Sequence, residues 1–375
     1  SSGTIGDDDL SQRSYKHFLI SGAMMVRVGR RLLDAVQPDK LYLLNGLFFA
    51  ERIMLELARE KAIPVVTHEV GFMPNTIVFA HNRIAGHFDL DEIWQKYKDI
   101  PLSTAEAAQL DDYLLARRRG KRDAAAYYPS IQEDEQKIIE QLHLDRGKKI
   151  VLMLTNILWD SAVLDRERIF DNMTDWLDTT IRHFIPRQDA QLVIRIHPAE
   201  IRLPMHETRE KVADFLKSRF ADLPDHIKII YPESAISSYM LMNLSCVGLI
   251  YTSTTGLEMA LSRKPVIVSG ETHYAGKGFT YDPADRAAYL QLLTNLEKFE
   301  SISTEMLESA RRYAYLFFFR FMLPFPAITM LPGARLQFNF DTLDALHPGA
   351  QPEIDLICDA LLNDQPFIRS TGVTE

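Results

Sequence analysis

The 375-residue sequence holds only two cysteines, Cys246 and Cys358. Two thiols build neither a disulfide framework nor a cysteine-based zinc cluster, and they fit a reducing cytoplasm. Long apolar runs are also missing. The most apolar aromatic stretch, YAYLFFFRFMLPFP from Tyr313 to Pro326, is too short to span a bilayer and carries Arg320 in its middle. It is expected to pack as core or to cross between domains, with an exposed surface for a lipid-linked ligand as the alternative. Positive charge is not in surplus either: the formal net charge of -9 gives no drive toward nucleic acid, which is not expected as a partner. Several glycine and histidine signatures are absent. There is no Walker A loop, no Gly-x-Gly-x-x-Gly, no Gly-x-Ser-x-Gly elbow and no His-Glu-x-x-His, so nothing points to a P-loop, a dinucleotide fold, a serine hydrolase or a metal site.

What is present is alternation. A chain of this length exceeds the size at which one core stops growing, so two domains are expected. Apolar residues recur at helical spacing from Tyr15 to about Val36, and KLYLLNG (Lys40 to Gly46) reads as a short buried strand. LFFAERIMLELAREK (residues 47–61) predicts an amphipathic helix, and IPVVTHE a strand ending at Glu69. Strand, helix and strand at this spacing make a βαβ unit. Only two strands are legible here, so this first domain, residues 1–147, is expected to be incomplete. The opening SSGTIGDDDLS has no signal-peptide pattern and is expected to be a loose end. ARRRGKRDAAAYYPS (residues 116–130) reads as a connector.

A second alternating series runs KKIVLMLTN, a helix near 168–184, AQLVIRIHP, a helix around 206–219, HIKIIYPE, a helix, CVGLIYTS, a helix from about Leu257 to Ser262, and KPVIVSG. Apolar strands in βαβα order predict a parallel, Rossmann-like sheet covered on both faces, over residues 148–330. Residues 331–375 are expected to form a tail or helix returning to the first domain. Ligands of such sheets sit beyond the carboxyl ends of the strands. Asn156, His197, Glu233, Ser253 and Gly270 fall at those ends and should line one edge.

Two of these ends carry chemistry. Thr252-Ser253-Thr254-Thr255-Gly256 places four hydroxyls and a glycine between a strand and a helix. A helix start of this kind can hold phosphate oxygens, although helix capping alone also accounts for hydroxyls there. His197-Pro198 stops its strand, because proline cannot donate to a ladder, and leaves an imidazole for phosphate contact or proton transfer; a turn histidine is the plainer alternative. Arg195 and Glu200 flank this pair and are binding candidates with it. A buried Arg195 would reach a carboxylate or face an interdomain cleft. Glu258, in the first turn after the hydroxyl run, either complements the helix dipole or accepts ribose hydroxyls. SGETHYAGKGFTYD then supplies His273, Tyr274 and Lys277 in a polar loop.

The strand ending in His-Pro, the Ser/Thr run before GLEMAL, KPVIVSG, and HYAGKGFTYD together resemble the bacterial capsule polysaccharide synthesis glycosyltransferases, which include β-Kdo transferases. HEVGFMPNTIVFAHN (His68 to Asn82) is similar to that family's Glu-x-Gly-aromatic segment, and the resemblance spans roughly residues 64–326. It implies a GT-B fold with two Rossmann-like domains whose parallel sheets face a cleft, and a nucleotide-sugar donor held by the second. His197 and the Ser253 to Thr255 loop would hold the donor phosphate, and Glu69 would be the catalytic base.

The implied activity is inverting, metal-independent transfer of a sugar, by family analogy Kdo from CMP-Kdo, to a surface polysaccharide or glycolipid. No cofactor is implied beyond the nucleotide-sugar, which is a substrate. The implied partners are that donor and an oligosaccharide or lipid-linked acceptor. The expected location is cytoplasmic, with peripheral contact to the inner membrane or to other assembly proteins left open. A non-hydrolysing nucleotide-sugar epimerase, a CDP-polyol phosphotransferase and a non-catalytic assembly scaffold are the alternatives.

Overall fold

Strands that are apolar at every position need cover on both faces, and the computed structural model of the chain shows that cover. It describes residues 6–118, 131–160, 163, 165–202, 208–331 and 335–370. Over the described residues the chain divides into two compact units, one within Ala125–Tyr313 and the other within Ile5–Ala124 together with Ala314–Glu375. In chain order the strands are β1 (Leu41–Leu43), β2 (Val65–Val70), β3 (Thr76–His81), β4 (Lys149–Leu154), β5 (Ala190–Arg195), β6 (Ile227–Ile230), β7 (Val247–Ile250), β8 (Val266–Val268), β9 (Leu323–Pro324), β10 (Ile328–Leu331) and β11 (Arg335–Phe338).

The Ala125–Tyr313 unit holds a five-stranded sheet in the order β6-β5-β4-β7-β8, parallel throughout, as the apolar strands predict. Every residue of β5 is buried. The helix Met173–Phe184 shows how the covering layer forms. Asn172 caps it by accepting the Asp175 N–H at 2.9 Å. Met173, Trp176, Leu177, Thr180, Ile181 and Phe184 recur every three or four residues and make one buried stripe. Leu177, Ile181 and Phe184 each contribute about 1.5–3 kcal/mol by leaving water. The Trp176 indole N–H donates to the Tyr289 hydroxyl at 3.0 Å, so its polar end is satisfied inside the core.

The other unit has a four-stranded sheet in the order β1-β2-β3-β9. The predicted βαβ is there, with β1, the helix Phe49–Glu60 and β2, and its two strands pair in parallel. Beyond it the sheet departs from the expected parallel arrangement: β2 with β3, and β3 with β9, are antiparallel. Residues 71–75 alone join β2 to β3, and a parallel return would need a crossover of roughly a dozen residues or more. The Gly71 N–H donates to Thr76 O at 2.9 Å and closes this hairpin. Ile357, Ala360 and Phe367, in and after the helix Pro352–Asn363, pack with Val66, Phe79 and Leu323.

The aromatic run forms the helix Thr304–Tyr315 and a π-helical turn, Leu316–Phe321, in which the Met322 N–H reaches back to Phe317 O. Tyr313, Leu316, Phe317, Phe318 and Phe321 are buried, which makes the run core. Arg320 is buried as well; it donates to the Glu106 carboxylate at 2.6 Å and lies 4.9 Å over the Tyr97 ring.

The unit boundaries fall at 124/125 and 313/314, against the expected 147 and 330. Most of the connector expected at 116–130 lies outside the described residues, as do residues 206 and 207 of the helix expected around 206–219, which is seen as Val212–Arg219. Among the described residues no helix is long and apolar enough to cross a membrane.

Candidate functional site

In the parallel sheet β4 lies centrally, with β5 and β6 on one side and β7 and β8 on the other. The chain therefore reverses its winding between β4 and β7, and such a switch point is where the loops at the carboxyl ends part to admit a ligand. Leu154 is level with Arg195 on one side and with Ile250 on the other, and Ile250 is level with Val268. The loops after four strands thus leave from one edge, and they carry most of the predicted residues.

A line of hydrogen bonds crosses this edge. The His197 N–H donates to Thr155 Oγ1 at 3.2 Å, and the next residue, Asn156, accepts the Thr252 N–H on Oδ1 at 3.4 Å. Asn156 is buried. Thr252 is also buried, and its side-chain hydroxyl has no hydrogen-bond partner among the described residues. Burying an unsatisfied hydroxyl costs on the order of 1–3 kcal/mol, so this group marks a place where a further polar atom would be stabilising. Ser253, Thr254 and Thr255 follow, half-buried. Ser253 Oγ lies 2.8 Å from Thr255 Oγ1 and accepts the Thr255 N–H at 3.2 Å. Thr254, which precedes the short helix Thr255–Leu261, makes no side-chain capping bond, so capping occupies only part of the hydroxyl run.

His197 Nδ1 accepts the Ala199 N–H at 3.1 Å. That bond assigns the proton of the neutral ring to Nε2. Burial holds the imidazole below its ordinary value; nearby Asp160 opposes this and Arg195 reinforces it. His197 is therefore a neutral Nε2–H donor at neutral pH. Pro198 is half-buried, and its carbonyl accepts the Ile201 N–H as the chain turns into the helical segment Ala199–Arg202.

Three binding candidates turn out to serve the protein's own backbone. Arg195 is buried and donates to the carbonyls of Tyr231 and Ser234, at 2.8 and 2.9 Å, tying β5 to the turn after β6. A carboxylate or an interdomain cleft is expected of it from the sequence, and these two carbonyls are the partners seen among the described residues. Glu200 is buried and accepts the N–H groups of Val212 and Ala213, at 2.8 and 3.3 Å, at the start of the helix Val212–Arg219. Burial raises its carboxyl, with those two donors pulling the other way. Tyr274 is fully buried and donates its hydroxyl to Ser253 O, so it holds the hydroxyl loop from beneath. Burial, then the Asp282 charge, drives its phenol upward. A Cβ on Gly256 would stand 2.2 Å from that hydroxyl, which explains the glycine.

Glu258 is buried beside the loop and accepts the Tyr239 hydroxyl. Lys277 lies half-buried in the loop after β8, where its carbonyl accepts from Ser309 Oγ at 3.2 Å. In the same loop, burial pushes His273 down to about 3, with the charges of Arg166 and Lys277 reinforcing it. Sequence reasoning missed Thr155, Tyr239 and Arg166. The buried Arg166 follows β4 and donates to Glu271 at 2.9 Å. A hydroxyl beside Asn156 at a strand end was the available signal for Thr155; nothing local marked Tyr239.

In the other unit Glu69 is half-buried near the end of β2. Its Oε1 accepts the Val70 N–H at 2.8 Å, and its Oε2 accepts the Asn45 side-chain amide at 2.9 Å. Asn45 is a further residue the sequence did not single out. Among the described residues, no three His, Cys, Asp or Glu side chains gather as a metal ion needs.

The family described as capsule polysaccharide biosynthesis protein matches this chain over residues 104–312. No curated protein sequence matches it. Among solved structures it is similar to the β-Kdo 2,4 transferase of Thermosulfurimonas dismutans KpsC, at 17% identity over 82% of this chain and 86% of that one, with a TM-score of 0.49. The β-Kdo 2,7 transferase of the same KpsC gives 16% identity over 83% and 85%, with a TM-score of 0.44. S. aureus MnaA in its UDP co-structure gives 16% over 80% and 79%, with a TM-score of 0.36.

Proposed function

The chain belongs to the capsule polysaccharide biosynthesis protein family, and from that membership we propose that it is an inverting glycosyltransferase. It moves a sugar from a nucleotide-sugar donor to a hydroxyl of a bacterial surface polysaccharide or glycolipid. CMP-Kdo is the donor that the resemblance of the His-Pro and Ser/Thr segments implies. A growing or lipid-linked acceptor puts the work in the cytoplasm, at the face of the inner membrane.

The observation that carries the reading is Thr252: a buried hydroxyl without a hydrogen-bond partner among the described residues, at the switch point, followed by three more hydroxyls. Phosphate oxygens satisfy such donors, and the imidazole of His197 at the same edge is the further phosphate contact of this reading. Glu258 is the acceptor for ribose hydroxyls, and Asn156 and Lys277 complete the donor contacts. Glu69 takes the proton of the acceptor hydroxyl. The freed electron pair of that oxygen forms the new bond to the anomeric carbon, and the bond from that carbon to the phosphate oxygen breaks, leaving its pair on the departing nucleotide. Attack opposite the leaving group inverts the anomeric centre. The hydroxyls, His197 and the Lys277 charge offset the charge that builds on the phosphate, so the reaction proceeds without a metal ion.

Thr252→Val tests the phosphate assignment. The change keeps shape and removes only an unpartnered hydroxyl, so the melting temperature should hold or rise. Affinity for CMP or UDP, measured by calorimetry, should fall by about 1–3 kcal/mol, the range for a hydrogen bond to a charged group. Equal affinity removes the phosphate site. A panel of CMP-, UDP-, GDP- and dTDP-sugars, followed by product mass with and without glycan acceptor and with EDTA, tests the reaction. Turnover of donor alone would point to an epimerase, transfer of phosphate to a polyol phosphotransferase, and EDTA-sensitive turnover to a metal-dependent reaction.

A further inference from the structure

Asn45 lies in the turn between β1 and the helix Phe49–Glu60 and is buried. Gly46 beside it has a φ of +81°, a left-handed conformation that glycine adopts at no steric cost. The turn lets the Asn45 side-chain oxygen accept the N–H groups of Leu47 and Phe48, at 2.8 and 3.4 Å. An amide oxygen held by two backbone donors settles which end of the amide is which. The nitrogen then points the other way, and it donates to Glu69 Oε2. Since Oε1 is held by the Val70 N–H, each carboxylate oxygen carries one donor. Of the roughly four lone-pair positions of a carboxylate, about half remain open to another donor.

We propose that Asn45 is a positioning residue for Glu69: it fixes the plane of the carboxylate so that the open lone pairs meet the proton of an incoming hydroxyl. This rests on the reading of Glu69 as the acceptor base. β1, β3 and the turn Ala85–His87 lie beside β2, and the helices Phe49–Glu60 and Pro352–Asn363 cover its Val65 and Val66. The neighbouring strand and turn residues carry Tyr42, His81 and His87, β2 itself adds His68, and the two helices carry Glu51, Arg52, Glu56, Arg59, Glu60, Glu353, Asp355, Cys358 and Asp359. Glu56 pairs with Arg59 and Glu60 with Arg30, whereas an acid placed at position 45 would stand at hydrogen-bond distance from Glu69 itself.

Asn45→Asp makes that change while keeping the acceptor for Leu47 and Phe48. The probe is the side-chain carboxyl resonance of Glu69 in protein with 13C-labelled glutamate, assigned by its loss in Glu69→Gln. In Asn45→Asp its titration midpoint should rise by about one pH unit or more, because two carboxylates then share the site. An unmoved midpoint overturns the proposal. If Asn45→Asp does not fold, the double variant Asn45→Asp, Glu69→Gln decides, since it restores a donor facing an acceptor with the polarity reversed. Recovery of the folded state supports the contact, and failure of both variants confines Asn45 to the turn and overturns the role. The base reading fails separately: Glu69→Gln with parental turnover of the sugar nucleotide active in the panel removes the base, and with it any role for Asn45. An inactive Glu69→Gln together with an unmoved midpoint removes Asn45 alone.

Discussion

The two sheets solve the same problem with different economy. In the five-stranded sheet every strand runs the same way, so five carboxyl ends open on one edge and bring Thr155, Asn156, His197, Thr252 and Ser253 to it from distant parts of the chain. In the four-stranded sheet β3 runs antiparallel to both β2 and β9, and among the described residues β1 and β2 are the one pair of neighbours joined in parallel. That single parallel pair is where Asn45 and Glu69 meet.

We propose nucleotide binding at the edge of the parallel sheet and proton transfer at Glu69, and each proposal can be broken. The largest effect is expected from Glu69→Gln, which should lower single-turnover transfer by about 10²- to 10⁴-fold, the usual cost of losing a general base. Its nucleotide dissociation constant should match the parent; weakened binding would dissolve the division. Next comes Ser253→Ala with Thr254→Ala, expected to weaken nucleotide binding by about 1–3 kcal/mol in calorimetry on the folded protein. A change in stability alone would return the hydroxyls to helix capping.

A smaller effect concerns pH. His273 in the parallel-sheet unit is pushed to about 3, mainly by burial, against an ordinary value of 6.5. Between those values the unfolded chain binds a proton that the folded chain refuses, so its contribution is complete above about pH 6.5 and is lost as pH falls toward about 3. From pH 7 to 5 this group should cost up to about 2 kcal/mol. Urea midpoints at both pH values should fall further for the parent than for His273→Gln, and equal falls would refute it. The smallest effect is expected from Tyr274→Phe, which removes the support under Ser253 O and should cost about 0.5–1.5 kcal/mol of stability. A loss confined to nucleotide affinity would instead make Tyr274 a ligand contact.

The sequence revealed what depends on neighbours along the chain. Apolar runs ending in polar residues located β4, β5, β7 and β8 and put Asn156, His197 and the hydroxyl run at their ends. Strand direction in the smaller sheet was less legible, because β9 joins β3 from far along the chain and its few residues carry no period of their own. The same distance hid which polar side chains are spent internally. Arg195, Glu200 and Tyr274 look like ligand contacts by residue type, and only the folded chain brings Ser234, Val212 and Ser253 to them. Asn45 is the converse case, an Asn-Gly turn after an apolar run whose partner lies on the next strand.

The order of segments in the two units bears on how the gene can be cut. Residues 125–313 form an insertion within a unit whose own chain is discontinuous. A fragment stopped at residue 147 would lack β9, leave an edge of β3 unpaired, and strip Ile357, Ala360 and Phe367 from Val66 and Phe79. An unpaired strand edge with bare apolar cover is a template for aggregation. Dissection of this protein therefore calls for excision and rejoining rather than truncation, with the inserted cassette expressed by itself and the flanking segments spliced into one reading frame.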